Sequence, residues 1–128
     1  MNDNDAPVNI VVAGGGTAGH IEPALAVAEV LRDNHGAVVS ALGTEKGLET
    51  SIVPARDFPL HLVDPVPIPR KQPLKLLGVP GKLMKSVNQT RAVLKETQAD
   101  AVLGTGGYVA ASAYLAAKSL GIPFFVLE

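Results

Sequence analysis

The chain contains no cysteine and no tryptophan, and its only aromatic side chains besides histidine are two tyrosines and three phenylalanines. Without thiols there is neither a disulfide nor a thiolate metal site, which fits a reducing compartment. No apolar run approaches the roughly 20 residues that span a bilayer, so no transmembrane helix is expected. The first residues, Met1-Asn2-Asp3-Asn4-Asp5, are polar and acidic where a signal peptide needs a basic region, so no signal peptide is expected. Residues 1–7 are expected to be frayed. What remains, 128 residues with 47% hydrophobic side chains and a net charge of −1, describes one globular domain, expected over residues 8–128.

Residues 9–13 form a short apolar run of the kind buried on both faces of a sheet, and it leads directly into Gly14-Gly15-Gly16-Thr17-Ala18-Gly19-His20. A helix follows, in which Pro23 is expected in the first turn and Ala24, Val27, Ala28 and Leu31 share one face. Strand, glycine loop and helix in that order make an anion site, because free first-turn N–H groups and the positive end of the helix dipole face the ligand. His20, which can be a capping or surface residue, is also a candidate general base beside such a site. Gly36 is expected to end the helix. Residues 37–42 read as a second strand and 48–53 as a short helix closed by Pro54, with a weaker strand at 60–63. Alternating strands and helices predict an α/β fold, a doubly wound parallel sheet of the Rossmann-like kind.

The opening pattern repeats near the end. Residues 99–104 form an apolar strand, Gly104-Thr105-Gly106-Gly107-Tyr108 follows, and an alanine-rich helix then runs to Gly121. Two glycine loops at the same carboxyl edge of a parallel sheet suit a diphosphate better than either alone. Tyr108 is either a cleft residue or a packed aromatic. A final strand begins at Phe124, and a domain ending inside a buried strand is expected to be truncated.

Acidic residues are locally absent as well. Between Pro65 and Lys95 there is none, while Arg70, Lys71, Lys75, Lys82, Lys85, Arg91 and Lys95 supply seven of the eleven basic residues. Prolines at 65, 67, 69 and 73 predict an extended surface loop, and Gly78-Val79-Pro80-Gly81 predicts a break in the helical pattern that follows. Beyond the break, Leu83, Val87, Thr90 and Leu94 form a stripe expected to pack on the sheet. Leu74, Leu76, Leu77 and Val79 are left over among the lysines, an apolar patch ringed by positive charge, which suits an anionic membrane surface; a solvated helix face is the plainer alternative. Nucleic acid is disfavoured, because the stretch has no aromatic side chain to stack on bases and the domain as a whole is not basic.

Gly14, Gly16 and Gly19 also match the spacing of the dinucleotide fingerprint. That reading wants an acidic residue at the end of the second strand, where Leu42-Gly43-Thr44 stands, and Glu45, about 26 residues past Gly19, is a poor substitute. It also leaves His20, the second loop and the basic apolar segment without a use.

Residues 15–26, Leu42-Gly43-Thr44, residues 102–109 and Leu120-Gly121-Ile122-Pro123 together resemble the N-terminal domain of the MurG family of bacterial glycosyltransferases, over about residues 8–128. The resemblance implies the N-terminal, acceptor-binding half of a GT-B enzyme, with a C-terminal domain outside this chain holding UDP-N-acetylglucosamine. It implies inverting transfer of N-acetylglucosamine to the 4-hydroxyl of the muramoyl unit of lipid I, giving lipid II for peptidoglycan, with no cofactor and no metal. The acceptor diphosphate and cleft are then expected at Gly15, Gly16, Thr17, Ala18, Gly19, Gly104, Thr105, Gly106, Gly107, Tyr108 and Glu128, with His20 as the catalytic base. Membrane contact is expected at Leu74, Lys75, Leu76, Leu77, Val79, Lys82 and Lys85, at the cytoplasmic face of the inner membrane, with other cell-wall synthesis proteins as further partners. Three residues depart from the family pattern. Ala18 replaces a loop glycine, Leu127 replaces a histidine before Glu128, and Glu22 stands at an often apolar position, where it is expected to stabilise the first turn of the helix. A non-catalytic membrane-docking subunit of a two-chain transferase is the alternative function.

Overall fold

The computed structural model describes residues 7–14, 18–44, 49–64, 79–105 and 107–127, with backbone only at 18–21, 49–51, 79–80 and 107–108. Among the described residues five strands, β1 (Asn9–Ala13), β2 (Val38–Gly43), β3 (Leu60–Leu62), β4 (Ala101–Gly104) and β5 (Phe124–Val126), alternate with four helices. These are α1 (Ala18–His35), α2 (Glu49–Ala55), α3 (Val79–Glu96) and α4 (Gly107–Leu120). All strand pairs are parallel, in the order β3-β2-β1-β4-β5. The doubly wound sheet expected from the sequence is therefore present, with strand bounds within a residue or two of those read from the apolar runs.

Burial on both faces explains why those runs are continuous rather than alternating. Val12, Val39 and Ala41 face α1 and α2, packing with Ala24, Leu25, Ala28, Val53 and Phe58. Val11, Ala13, Leu42 and Val102 face the other way, into a layer built by Val87 and Leu94 of α3 with Val109, Ala113, Ala116 and Ala117 of α4. The predicted stripe on α3 is real: Val87, Thr90 and Leu94 are buried, with Leu83 packed against them. The small side chains of α4 let it lie close to α3, and the buried hydroxyls of Ser86, Thr90 and Ser112 are hydrogen-bonded between or within them. Ser86 Oγ donates to Ser112 Oγ at 3.0 Å, and Thr90 Oγ1 donates to the Ser86 carbonyl at 2.8 Å.

The helix ends carry corrections. Gly36 and Gly121 do adopt positive φ, 68° and 72°, as expected past a helix end. Pro54, however, lies inside α2 instead of closing it. The closure is made by Asp57 at φ 63°, with Phe58 N–H donating to the Val53 carbonyl at 3.3 Å and Asp57 N–H to that of Pro54 at 3.0 Å. Gln98, at φ 52°, ends α3 in the same way. At the other end α1 begins at Ala18, so Pro23 is its sixth residue and not part of a first turn. Val79, Pro80 and Gly81 are the first three residues of α3, so the expected break does not fall within them; Gly78 lies outside the described residues. The proline-rich loop at 65–73 and the apolar residues 74–77 lie outside the described residues.

Candidate functional site

The two glycine loops leave the two central strands. β1 and β4 are neighbours, Ala13 is in register with Gly104, and Thr105 N–H donates to the Ala13 carbonyl at 3.0 Å. Both connections start side by side at the carboxyl edge, where the strand order reverses: from β1 the chain proceeds through β2 and β3, then returns to β4 on the other side. Such a switch point opens a crevice in an open α/β sheet. Four residues after β1 the chain enters α1, on one face of the sheet; two residues after β4 it enters α4, on the other. Two helix N-termini therefore flank the crevice, each with first-turn N–H groups that have no acceptor inside the helix.

This changes what several predicted residues supply. Ala18, Gly19 and His20 are the first three residues of α1, and Gly107 and Tyr108 the first two of α4. Their backbone N–H groups belong to helix first turns rather than to flexible loop. Gly15, Gly16, Thr17, Gly106 and Glu128 lie outside the described residues. Gly104 has a different reason to be glycine: a Cβ built there would stand 2.5 Å from Phe124 Cζ and 3.2 and 3.3 Å from the two Cε atoms. Its missing side chain makes room for an aromatic ring on the α3–α4 side of the sheet. The end of β2 carries no carboxylate at Gly43 or Thr44, and Thr44 is buried, so the ribose-holding acid of a dinucleotide site is missing there. Among the described residues no group of three or more His, Asp or Glu side chains could hold a metal ion.

Two charged groups have partners that sequence reading did not supply. Glu22 is not in the first turn of α1; its Oε2 receives a hydrogen bond from Arg56 Nη2 at 2.6 Å. Lys85, expected at the membrane, pairs with Asp64 at 2.8 Å. That hydrogen bond, then one with Gln89, holds the Asp64 carboxyl below its ordinary pKa, and Asp64 raises that of Lys85 in return. Lys82 is exposed near the start of α3, and Val79 is the first residue of that helix. Leu74, Lys75, Leu76 and Leu77 lie outside the described residues.

A groove of about 390 Å³ separates α3 from α4, lined by Leu83, Met84, Val87, Arg91, Leu115 and Ser119. Met84 is 58% exposed and Leu115 39%. Leu115 belongs to the second helix, 31 residues from Met84, and no local pattern pairs the two. Helices of a parallel sheet return from its carboxyl edge, so α3 begins at the same edge as the two flanking helix N-termini. No described helix is long and apolar enough to cross a membrane.

A three-layer domain with two helix N-termini at the switch point of a parallel sheet defines the Rossmann-like class. The particular family follows from comparison with known proteins. Residues 10–128 match the model of the glycosyltransferase family 28 N-terminal domain, and the chain belongs to that family. The chain is 65% identical, over 121 residues, to a protein of Corynebacterium glutamicum (strain R) named UDP-N-acetylglucosamine–N-acetylmuramyl-(pentapeptide) pyrophosphoryl-undecaprenol N-acetylglucosamine transferase, covering 94% of this chain and 34% of that one. A protein of the same name from Corynebacterium efficiens is 62% identical over 128 residues, covering 100% of this chain and 36% of the relative. Among solved structures, MurG of Acinetobacter baumannii superposes with a TM-score of 0.78 at 34% identity, over 94% of this chain and 33% of that one. The chain thus spans about a third of the length of the relatives it matches. The GT-B half-architecture and the MurG-like character expected from the sequence are borne out.

Proposed function

We propose that, in an enzyme of its relatives' length, this domain is the acceptor half of an inverting transferase that moves N-acetylglucosamine from UDP-N-acetylglucosamine to the muramoyl 4-hydroxyl of lipid I, making lipid II. The observation that carries the reading is the pair of helix N-termini at the β1–β4 switch point, which suits the acceptor's diphosphate, in a chain 65% identical to a protein named for this transfer. Backbone N–H groups of residues 15–19 and, in the second loop, of Gly106 and Gly107 hold the diphosphate, the Thr105 N–H being taken by the Ala13 carbonyl. His20 takes the proton of the acceptor hydroxyl as its oxygen attacks the anomeric carbon; the bond from that carbon to UDP breaks, UDP leaves with the electron pair, and the new linkage is β. Tyr108, Thr17 and Glu128 line the cleft, and the donor is held chiefly by a second domain. The reaction so written uses no metal.

The same reading brings the enzyme to the cytoplasmic face of the inner membrane. Residues 74–77 with Val79 and Lys82 meet anionic lipid, and the exposed Met84 and the α3–α4 groove extend the apolar surface. Lys85 contributes less than its charge suggests, because Asp64 neutralises it.

The test is transfer of labelled N-acetylglucosamine to a lipid I analogue by the full-length enzyme, wild type against His20→Ala. The expected loss is about 10²-fold or more, the size of a general-base contribution. Near wild-type transfer by the variant would remove His20 from the role and leave the family intact. No transfer by the wild type would favour a membrane-docking subunit that recruits a separate donor-binding chain.

A further inference from the structure

We propose that Arg56 is a positioning residue for the catalytic end of α1, acting through Glu22 and resting on the assignment of His20 as the base. The first turns of α1 are intrinsically weak. Gly19 favours the unfolded chain, and Pro23, with no N–H, forfeits the hydrogen bond to the Gly19 carbonyl. His20 lies inside that weakened turn. Glu22 is the next described side chain after it, and Arg56 Nη2 holds Glu22 Oε2 at 2.6 Å. The other arm of the same guanidinium reaches Glu29 Oε1 at 3.5 Å, so one fork spans two turns along α1.

Arg56 can act as a brace because it is itself fixed. Its N–H donates to the Val53 carbonyl at 3.1 Å, within the closed end of α2. Its carbonyl accepts from Arg32 Nη1 at 2.9 Å, and the Arg32 guanidinium lies 4.3 Å from the centre of the Phe58 ring. Val53 and Phe58 are both buried, so the post is rooted in the α1–α2 side of the core. Ion pairs this exposed stabilise a fold little. What the pair supplies is placement, where a small displacement of a reacting group is costly.

Asp33 provides the control. It ion-pairs with Arg32 at 2.9 Å on the same helix, but thirteen residues, or about 20 Å, along α1 from His20. In the full-length enzyme, Arg56→Gln and Glu22→Gln are each expected to lower kcat about tenfold with KM for UDP-N-acetylglucosamine unchanged. The double variant should be no worse than either, and Arg56→Lys should recover about half of the loss. Asp33→Asn should leave kcat within about twofold. Amide exchange at Glu22, Ala24 and Leu25 should quicken several-fold in Arg56→Gln and not in Asp33→Asn. Equal loss of kcat in the Asp33 and Arg56 variants would reduce the brace to a general effect of ion pairs on α1 and overturn the proposal. So would unchanged kcat and unchanged exchange in Arg56→Gln. If the wild type transfers nothing while exchange responds as expected, the failure belongs to the proposed reaction and the brace stands as a structural device.

Discussion

Replacing Gly104 by alanine places a methyl where the Phe124 ring already lies. The nearest ring carbon would be 2.5 Å away, against the 3.5–4.0 Å of an ordinary carbon contact, so the ring must retreat by about 1 Å. Retreat is opposed on two sides: the ring packs on the core shared by Val11, Val102 and Val109, and it meets Tyr114 edge-on at 5.3 Å between centroids. Some relief is available, because Phe124 opens β5, an edge strand. Overpacking of this kind costs about 1–3 kcal/mol. At roughly 4 °C per kcal/mol for a domain of this size, the midpoint of thermal unfolding should fall by about 4–12 °C. Circular dichroism during heating and urea titration measures both. Phe124→Leu in the Gly104→Ala background should recover part of the loss, since the methyl then faces a smaller side chain. A Gly104→Ala protein within about 0.5 kcal/mol of wild type, or one that Phe124→Leu does not help, would refute the packing account. A stable double variant that no longer binds the acceptor would instead assign Gly104 to close approach of the diphosphate.

Two further perturbations probe the α3 side. Ser112→Ala removes the acceptor of the buried Ser86 hydroxyl and should cost about 1–3 kcal/mol by urea unfolding, with the Ser86→Ala, Ser112→Ala double variant costing less than the sum of the singles; strict additivity would mean that the hydrogen bond contributes nothing. Asp64→Asn removes a carboxylate whose pKa is depressed by Lys85, so its stabilisation is present above the unfolded value near 4 and is lost as pH falls through the folded one. The raised pKa of Lys85 makes the same increment present below about 10.4 and lost as pH rises through its folded value. The gap between wild type and variant should therefore be flat from about pH 5 to 9 and close at both ends; a gap persisting at pH 2 would place its origin elsewhere. The variant also frees the Lys85 charge, so binding to phosphatidylserine-containing vesicles should tighten about fivefold, and unchanged binding would remove Lys85 from the membrane face.

What the sequence made legible follows from which constraints are local. Strands covered on both faces need unbroken apolar runs, so β1, β2 and β4 could be read directly, and with them the placement of both glycine loops at one sheet edge. The helix starts were not legible in that way. Proline is most easily tolerated in a first turn, and that rule set α1 near Pro23; the fold starts it at Ala18, accepting one lost hydrogen bond so that the helix N-terminus meets the end of β1. Contacts that cross the chain were invisible: Arg56 lies 34 residues from Glu22, Lys85 lies 21 from Asp64, and the ring that makes Gly104 necessary comes 20 residues later.

The departure at residue 18 then has a physical reading. In a flexible phosphate loop, alanine in place of glycine would cost conformational freedom and close approach. At the first position of a helix it keeps the backbone N–H that the proposed site calls on, and favours the helix by some fraction of the roughly 0.5–1 kcal/mol that separates alanine from glycine in a helix interior. That gain falls in the turn that Gly19 and Pro23 weaken, so Ala18 and the Arg56 brace support the same end of α1. Ala18→Gly should accordingly quicken amide exchange at Glu22 and Ala24 in the way Arg56→Gln does. Slower or unchanged exchange would mean that residue 18 does not stabilise the first turns of α1.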